Sequence, residues 1–212
     1  MGQYTKNGLY NGYKKNTKER AELDYYATPT CEVENILNTL NLNLHHNTVL
    51  EPCIGGGHML KGIINYCHEK SMSPILIGTD FKDRGYAHPQ CNIQYGLDFL
   101  DDDYPIATAD TIIMNPPYST LEPFLIRALE IAQRYLVVLC RTQVLEGESR
   151  YKNIFADNPP TYIYQYVNRI QCWHNGNKPE GSSAQAYCWL VWDKEATTTE
   201  PILRWIKRSG SY

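Results

Sequence analysis

Asn115, Pro116, Pro117 and Tyr118 stand directly behind the apolar residues Ile112, Ile113 and Met114 in the stretch IIMNPPYST. Proline has no N–H with which to extend a ladder, so a buried strand running through the apolar residues must end at Asn115. The residue before a proline is pushed toward extended conformations, which leaves Tyr118 on a short, stiff loop. The asparagine side-chain oxygen and a proline carbonyl are two acceptors with no competing backbone donor, and an aromatic face stands beside them. That set suits a planar molecule bearing an NH2 group. An Asn-Pro pair also serves as a plain strand-ending turn, so the rest of the chain has to decide.

Other residues with chemical content come earlier. LEPCIGGGHML places Gly55, Gly56 and Gly57 between a strand-like and a helix-like segment. Backbone there can approach a ligand closely, and the helix start offers free N–H groups. The spacing does not spell the G-x-G-x-x-G dinucleotide fingerprint. Glu51, just ahead of it, would repel a pyrophosphate but hold an ammonium. A second apolar segment ends in Asp80, where an acidic side chain in such folds accepts two ribose hydroxyls. Asp98 in GLDFL ends a third segment beside Phe99. Its carboxylate can take an adenine amino proton and the ring can pack on the base, the alternative being a solvated turn. His58 and His174 lack partners for metal or acid–base work, and the seven cysteines form no C-x-x-C pair, so no metal site is expected.

Elements must hold these residues in place. TCEVENILNTL sets Val33, Ile36, Leu37 and Leu40 on one helical face behind a threonine cap. NTVLEPC reads as a strand, HMLKGIINYCHEK as a helix and PILIGTD as a strand, together a βαβ unit. NIQYGLDF is a weaker third strand, DTIIMN a fourth, LEPFLIRALEIAQRY an amphipathic helix and YLVVLCR a fifth strand. Strands alternating with helices predict an α/β fold with a doubly wound, mostly parallel sheet. RYKNIFADNPP then reads as a short helix ended by prolines. TYIYQYVNRIQCW and AYCWLVWDK have the β-branched and aromatic content of strands that can pair antiparallel. The loop at 171 to 187 carries Trp173, His174, Asn175 and Lys178, which suit nucleic-acid contact, or else form an ordinary surface hairpin loop.

A chain of 212 residues is long enough for one substantial core, expected over 21–212 behind a flexible polar and basic arm at 1–20. The net charge of −3 excludes a globally basic surface, so a polyanion would need a local patch. Lys6, Lys14, Lys15, Lys18 and Arg20 offer one at the start, and Arg204, Lys207 and Arg208 another near the end, although solvated terminal charge explains both equally well. The scattered odd number of cysteines and the absence of a signal peptide point to reduced thiols in a cytoplasm. No apolar run approaches the roughly 20 residues that span a bilayer.

EPCIGGG, Asp80, Asp98 and NPPY, in this order, resemble the amino-methylating S-adenosylmethionine-dependent methyltransferases, in which a D/N-P-P-Y/F/W loop handles an exocyclic amine. YATPT at 26 to 30 is similar to the Thr-Pro segment those enzymes place at the methionine end of the cofactor. DFKDRGY, DFL, NPPYST, FLIRALE, LEGESRYKNIF, NPPTYIY, NRI, AYCWLVWDK and PILRWI extend the resemblance, to small phage and prophage adenine-methyltransferase-like proteins, from Asp24 to Ile206.

The resemblance implies a class I, Rossmann-like fold with a seven-stranded sheet, and S-adenosylmethionine as cofactor without a metal. Tyr26, Thr28, Pro29, Glu51, Pro52, Gly55, Gly57, Asp80, Asp98 and Phe99 would hold the cofactor, and Asn115, Pro116, Pro117 and Tyr118 would be catalytic. It implies adenine in DNA as substrate, in the cytoplasm of a bacterial host if the chain is phage-encoded. Adenine in RNA is the alternative, and glutamine N-methylation in protein a more distant one, since those enzymes use a similar loop behind an N-terminal helical domain. An inactive, cofactor-binding partner subunit is a further reading, against which the intact Asn115, Pro116, Pro117 and Tyr118 speak. Such adenine methyltransferases usually carry a large target-recognition domain after the catalytic one, and too few residues follow Tyr118 for that. The arm or the 171–187 loop is therefore expected to contact the phosphate backbone, with specificity supplied by a further subunit or a homodimer.

Overall fold

The computed structural model describes residues 25–177 and 185–210; the arm at 1–20 and Lys178 lie outside the described residues. The chain runs through β1 (Tyr26–Ala27), α1 (Thr30–Leu40), β2 (Thr48–Glu51), α2 (His58–Glu69), β3 (Ile75–Asp80), β4 (Cys91–Tyr95) and β5 (Ala109–Met114). It continues through α3 (Leu121–Ile131), β6 (Ala132–Arg141), β7 (Tyr162–Tyr166), β8 (Trp173–His174), β9 (Tyr187–Asp193) and β10 (Ile202–Ile206). Helical turns occupy Tyr118–Thr120, Thr142–Leu145, Glu148–Arg150 and Tyr151–Phe155. Eight strands form one sheet in the order β10-β7-β9-β6-β5-β2-β3-β4. All neighbours are parallel except β9, which runs antiparallel to both β6 and β7. β1 and β8 form a separate antiparallel pair, with Tyr26 opposite His174 and Ala27 opposite Trp173.

The period-two alternation of the central strands splits the core into two layers. Ile113, Val137 and Leu139 join Val33, Ile36 and Leu37 of α1 and Leu60 and Ile63 of α2. Ile112, Met114, Leu136, Val138 and Cys140 face the other way, onto Phe124, Leu125 and Ala128 of α3. Complete burial of an Ile or Leu side chain contributes ~1.5–3 kcal/mol, more than any difference in helix propensity, so packing on the sheet holds these helices. α1 and α2 touch at Gly62, where an added Cβ would lie 2.6 Å from Val33 Cβ and 2.8 Å from the Thr30 carbonyl oxygen.

Four local expectations are corrected. Thr30 does not cap α1: Pro29 holds the N-cap position, and the Thr30 hydroxyl donates to the His58 carbonyl, tying α1 to α2. The helical pattern of LEPFLIRALEIAQRY breaks at Ile131, because Ala132 is already extended and pairs with Ala109 of β5. Arg134 is held there by Asp193 on β9. β4 ends at Tyr95, so Asp98 sits in the turn beyond it. β10 adds an eighth strand to the seven expected; it is an edge strand with Leu203, Arg204 and Trp205 exposed, so no buried apolar run announces it. The antiparallel pairing of TYIYQYV with AYCWLVWDK is present, as β7 with β9. Among the described residues, no helix is long and apolar enough to cross a membrane.

Candidate functional site

β2 lies between β3 and β5, and all three are parallel, so Glu51, Asp80 and Met114 end at one rim of the sheet. The chain runs outward from β2 to β3 and β4 and then crosses back to β5 on the other side of β2, and the crevice outside the strand ends at such a switch point is where open α/β folds take ligands. A cavity of about 870 Å3, open to solvent, occupies that place. It brings together Tyr26, Pro52, Gly55, Asp80, Asp98, Phe99, Asn115, Pro116, Pro117 and Tyr118 of the expected residues. An adjoining space of about 240 Å3 holds Thr28 and Glu51 and shares Tyr26 and Asn115 with it. Pro29 and Gly57 line neither space and serve as the N-caps of α1 and α2.

Asn115 carries the least ordinary geometry. Its Nδ2 donates to the Tyr26 carbonyl at 3.0 Å and to Thr28 Oγ1 at 3.1 Å, so both amide hydrogens are used. Its Oδ1 is buried without a hydrogen-bond partner. Buried polar atoms are nearly always bonded, because the desolvation of an unmade acceptor costs ~1–3 kcal/mol. Two donors' worth of restraint on one side therefore fix an unsatisfied acceptor on the other. The Asn115 carbonyl accepts from Cys53 Sγ at 3.5 Å, which ties the strand end to the glycine turn.

Around this corner the acids have different settings. Glu51 is 2% exposed, and its Oε2 accepts from Leu60 N–H at 3.0 Å. Burial pushes its carboxyl well above the usual range, the Leu60 bond opposes this, and nearby Asp80 adds to it. No cation faces Glu51 closely enough to form an ion pair among the described residues. Asp80 accepts from Gly55 N–H at 2.8 Å and from Lys82 N–H at 2.9 Å. Burial raises its pKa, while those two bonds and Arg84 pull it down. Asp98 spends one carboxylate oxygen on Leu100 N–H at 3.0 Å, which shapes its turn. Phe99 is buried against Phe124 and Tyr104 and shows the cavity only part of its ring.

Gly55 and Gly57 have positive φ, 53° and 75°, a conformation that glycine adopts without steric cost. Tyr25 lies across this turn: a Cβ on Gly55 would sit 2.1 Å from its ring, and its hydroxyl bonds His58 Nδ1 at 2.8 Å. Tyr118 begins a helical turn behind Pro117, and its hydroxyl donates to Tyr187 Oη at 3.0 Å. Burial, with nearby Cys172 and Tyr187, raises its pKa, so it stays a neutral phenol. Trp173 and His174 line neither space; Trp173 meets His58 edge to face at 5.7 Å. Among the described residues, no group of three or more His, Cys, Asp or Glu side chains is placed to hold a metal ion.

Sequence reading missed Tyr25, Cys53, Lys82, Arg84 and Phe124 in the cavity wall. Phe124 looks like any core residue of an amphipathic helix, and Lys82 and Arg84 like solvated charge after a strand. Two had a signal: Tyr25 in its place beside YATPT, and Cys53 inside EPCIGGG.

No family model matches the chain, and no curated protein sequence matches it. Solved structures do. The type I restriction-modification methyltransferase subunit from Streptococcus thermophilus aligns over 96% of this chain and 53% of its own, at 14% identity and a TM-score of 0.66. The modification subunit of a candidate type I restriction enzyme from Vibrio vulnificus aligns over 95% and 51%, at 13% identity and 0.61. A candidate class I S-adenosylmethionine-dependent methyltransferase from Listeria monocytogenes aligns over 96% and 74%, at 13% identity and 0.64. The chain thus spans about half the length of the two restriction-modification subunits. At these identities the likeness concerns the fold: an α/β class I methyltransferase fold with a mostly parallel sheet and one antiparallel strand.

Proposed function

We propose that this chain transfers a methyl group from S-adenosylmethionine to the exocyclic amine of adenine in DNA. The observation that carries the reading is the orphaned, buried Oδ1 of Asn115, an acceptor held in place with no donor to accept from among the described residues.

The residues fit the cofactor on their own chemistry. Glu51 is a buried carboxylate lacking a cation, which suits an ammonium; Asp80, held at a strand end by Gly55 N–H, suits the hydroxyls of a ribose. When bound, S-adenosylmethionine supplies a methyl made electrophilic by its sulfonium, which passes to the amine as the carbon–sulfur bond breaks. Asn115 Oδ1 accepts one amine hydrogen and the Pro116 carbonyl the other. This draws the nitrogen toward a pyramidal shape and frees a lone pair that the ring otherwise delocalises, a stabilisation that grows toward the transition state. Pro116 and Pro117 keep the corner stiff, which conserves the alignment. Tyr118 provides an aromatic wall for a base taken out of its helix. An amide is no base, so the released proton goes to water.

Incubation with methyl-tritiated cofactor and DNA, RNA or protein extract, followed by acid hydrolysis, tests this. N6-methyladenine from DNA is the expected product, absent with Asn115→Ala. Label confined to RNA would transfer the same chemistry to RNA, methylglutamine would transfer it to protein, and no label in any acceptor would contradict it.

A further inference from the structure

Arg141 ends β6, which pairs with β5 through Met114 opposite Val138 and runs on past the point where β5 stops. Its guanidinium carbon lies 4.0 Å from the centroid of the Tyr118 ring and 6.0 Å from that of Tyr26. Among the described residues, its Nε is buried without a hydrogen-bond partner. Among the described residues no carboxylate comes within ion-pair distance of it, whereas Arg134 on the same strand is paired with both Asp193 and Glu195. Among the described residues, Tyr118, Cys172 and Tyr187 feel its charge, and burial raises all three, which keeps them neutral.

Among the described residues, this partly desolvated cation faces aromatic rings and neutral groups and has no counter-charge. The planar fork of arginine matches the oxygens of a phosphate, and stacking on Tyr118 orients that fork before any ligand arrives. Tyr118 lines the large cavity and Arg141 lines neither space, which sets the guanidinium beside the cavity and not in its wall. The anion that reaches it belongs outside the cavity, beside the ring that walls it. A chain of net charge −3 also needs a local cation to hold a polyanion at this rim.

We propose that Arg141 binds a phosphodiester of the substrate DNA, next to the nucleotide whose base enters the cavity. This rests on the DNA reading above. It assigns to β6 a contact that places the backbone while Asn115 handles the base.

The test uses the full chain and its Arg141→Gln and Arg141→Lys variants with mixed-sequence DNA. Three quantities are measured: the salt dependence of binding, the methylation kinetics and the cofactor affinity. A lost phosphate contact lowers the slope of log affinity against log salt by about 0.9. Arg141→Gln is expected to show that drop and a rise in KM for DNA of roughly tenfold, with kcat at saturating DNA and cofactor Kd within about twofold of the parent; Arg141→Lys keeps the parent slope. An unchanged slope with a reduced kcat would overturn the proposal and leave Arg141 as a support for Tyr118. Unchanged slope and kinetics would overturn it outright. If the parent chain itself neither binds nor methylates DNA, the failure lies in the DNA reading, and the phosphate contact falls with it.

Discussion

Thr28→Val separates the orientation of Asn115 from the binding of cofactor. Thr28 is buried, and its Oγ1 accepts one of the two amide hydrogens of Asn115 at 3.1 Å, the Tyr26 carbonyl taking the other at 3.0 Å. Valine keeps the branched shape but offers no acceptor, so only the Tyr26 carbonyl still opposes rotation of the amide. A neutral hydrogen bond contributes ~0.5–1.5 kcal/mol, and each ~1.4 kcal/mol is tenfold in rate. The expected effect is thus a fall in kcat of roughly two- to tenfold, with cofactor Kd changed by less than about twofold. Thr28→Ser retains the hydroxyl and is expected to restore the parent kcat. Steady-state kinetics at saturating cofactor, with cofactor Kd from calorimetry, read both quantities. A variant that binds cofactor weakly but turns over at the parent rate when saturated would refute the reasoning and place Thr28 against the cofactor instead.

Asn115→Ala removes the orphaned acceptor itself, and loss of one group aimed at a transition state costs ~100-fold or more in kcat; thermal melting is expected to show a modest loss of stability, because the relief of the unsatisfied oxygen is outweighed by the two hydrogen bonds lost to the Tyr26 carbonyl and Thr28 Oγ1. Glu51 gives a pH signature. Its pKa is raised by burial, so the folded state keeps a proton that the unfolded state loses near 4.5, and the ligand-free protein loses stability as pH rises from there through the folded value. Glu51→Gln removes that share of the loss in pH-dependent melting, leaving the smaller share of Asp80, whose shift has the same sign. Holding an ammonium requires the charged carboxylate, so cofactor binding releases a proton and tightens with pH across the same window; calorimetry in buffers of different ionisation heat checks this, and a flat response in the parent would count against Glu51 as the ammonium site. Gly62→Ala forces a methyl into the α1–α2 contact and is expected to destabilise by ~1–3 kcal/mol in denaturant melts, with no effect on cofactor Kd per folded molecule.

The central strands were legible because burial on both faces leaves continuous apolar runs, as in Ile112, Ile113 and Met114, and because prolines mark where β5 must stop. The weakest reading was at the edges. β10 exposes every residue from Ile202 to Trp205 and buries only Ile206, and its pairing with β7 depends on a partner far away in sequence. The run AQRY fits a helical period, and only its register with β5 and β9 makes it a strand. The candidate site divides in the same way. Asn115, Asp80 and Glu51 were visible as residue types at strand ends. That both amide hydrogens of Asn115 are already spent, that Arg141 has no carboxylate within ion-pair distance among the described residues, and that Tyr25 covers Gly55 are consequences of distant segments meeting, which no local spacing encodes.

The most direct measurement is a crystal structure of the chain with sinefungin, whose amine stands where the cofactor carries its transferable methyl. The account predicts that amine within hydrogen-bond reach of Asn115 Oδ1, the ribose hydroxyls on Asp80 and the ammonium toward Glu51. An analogue bound with its amine directed away from Asn115 would contradict it.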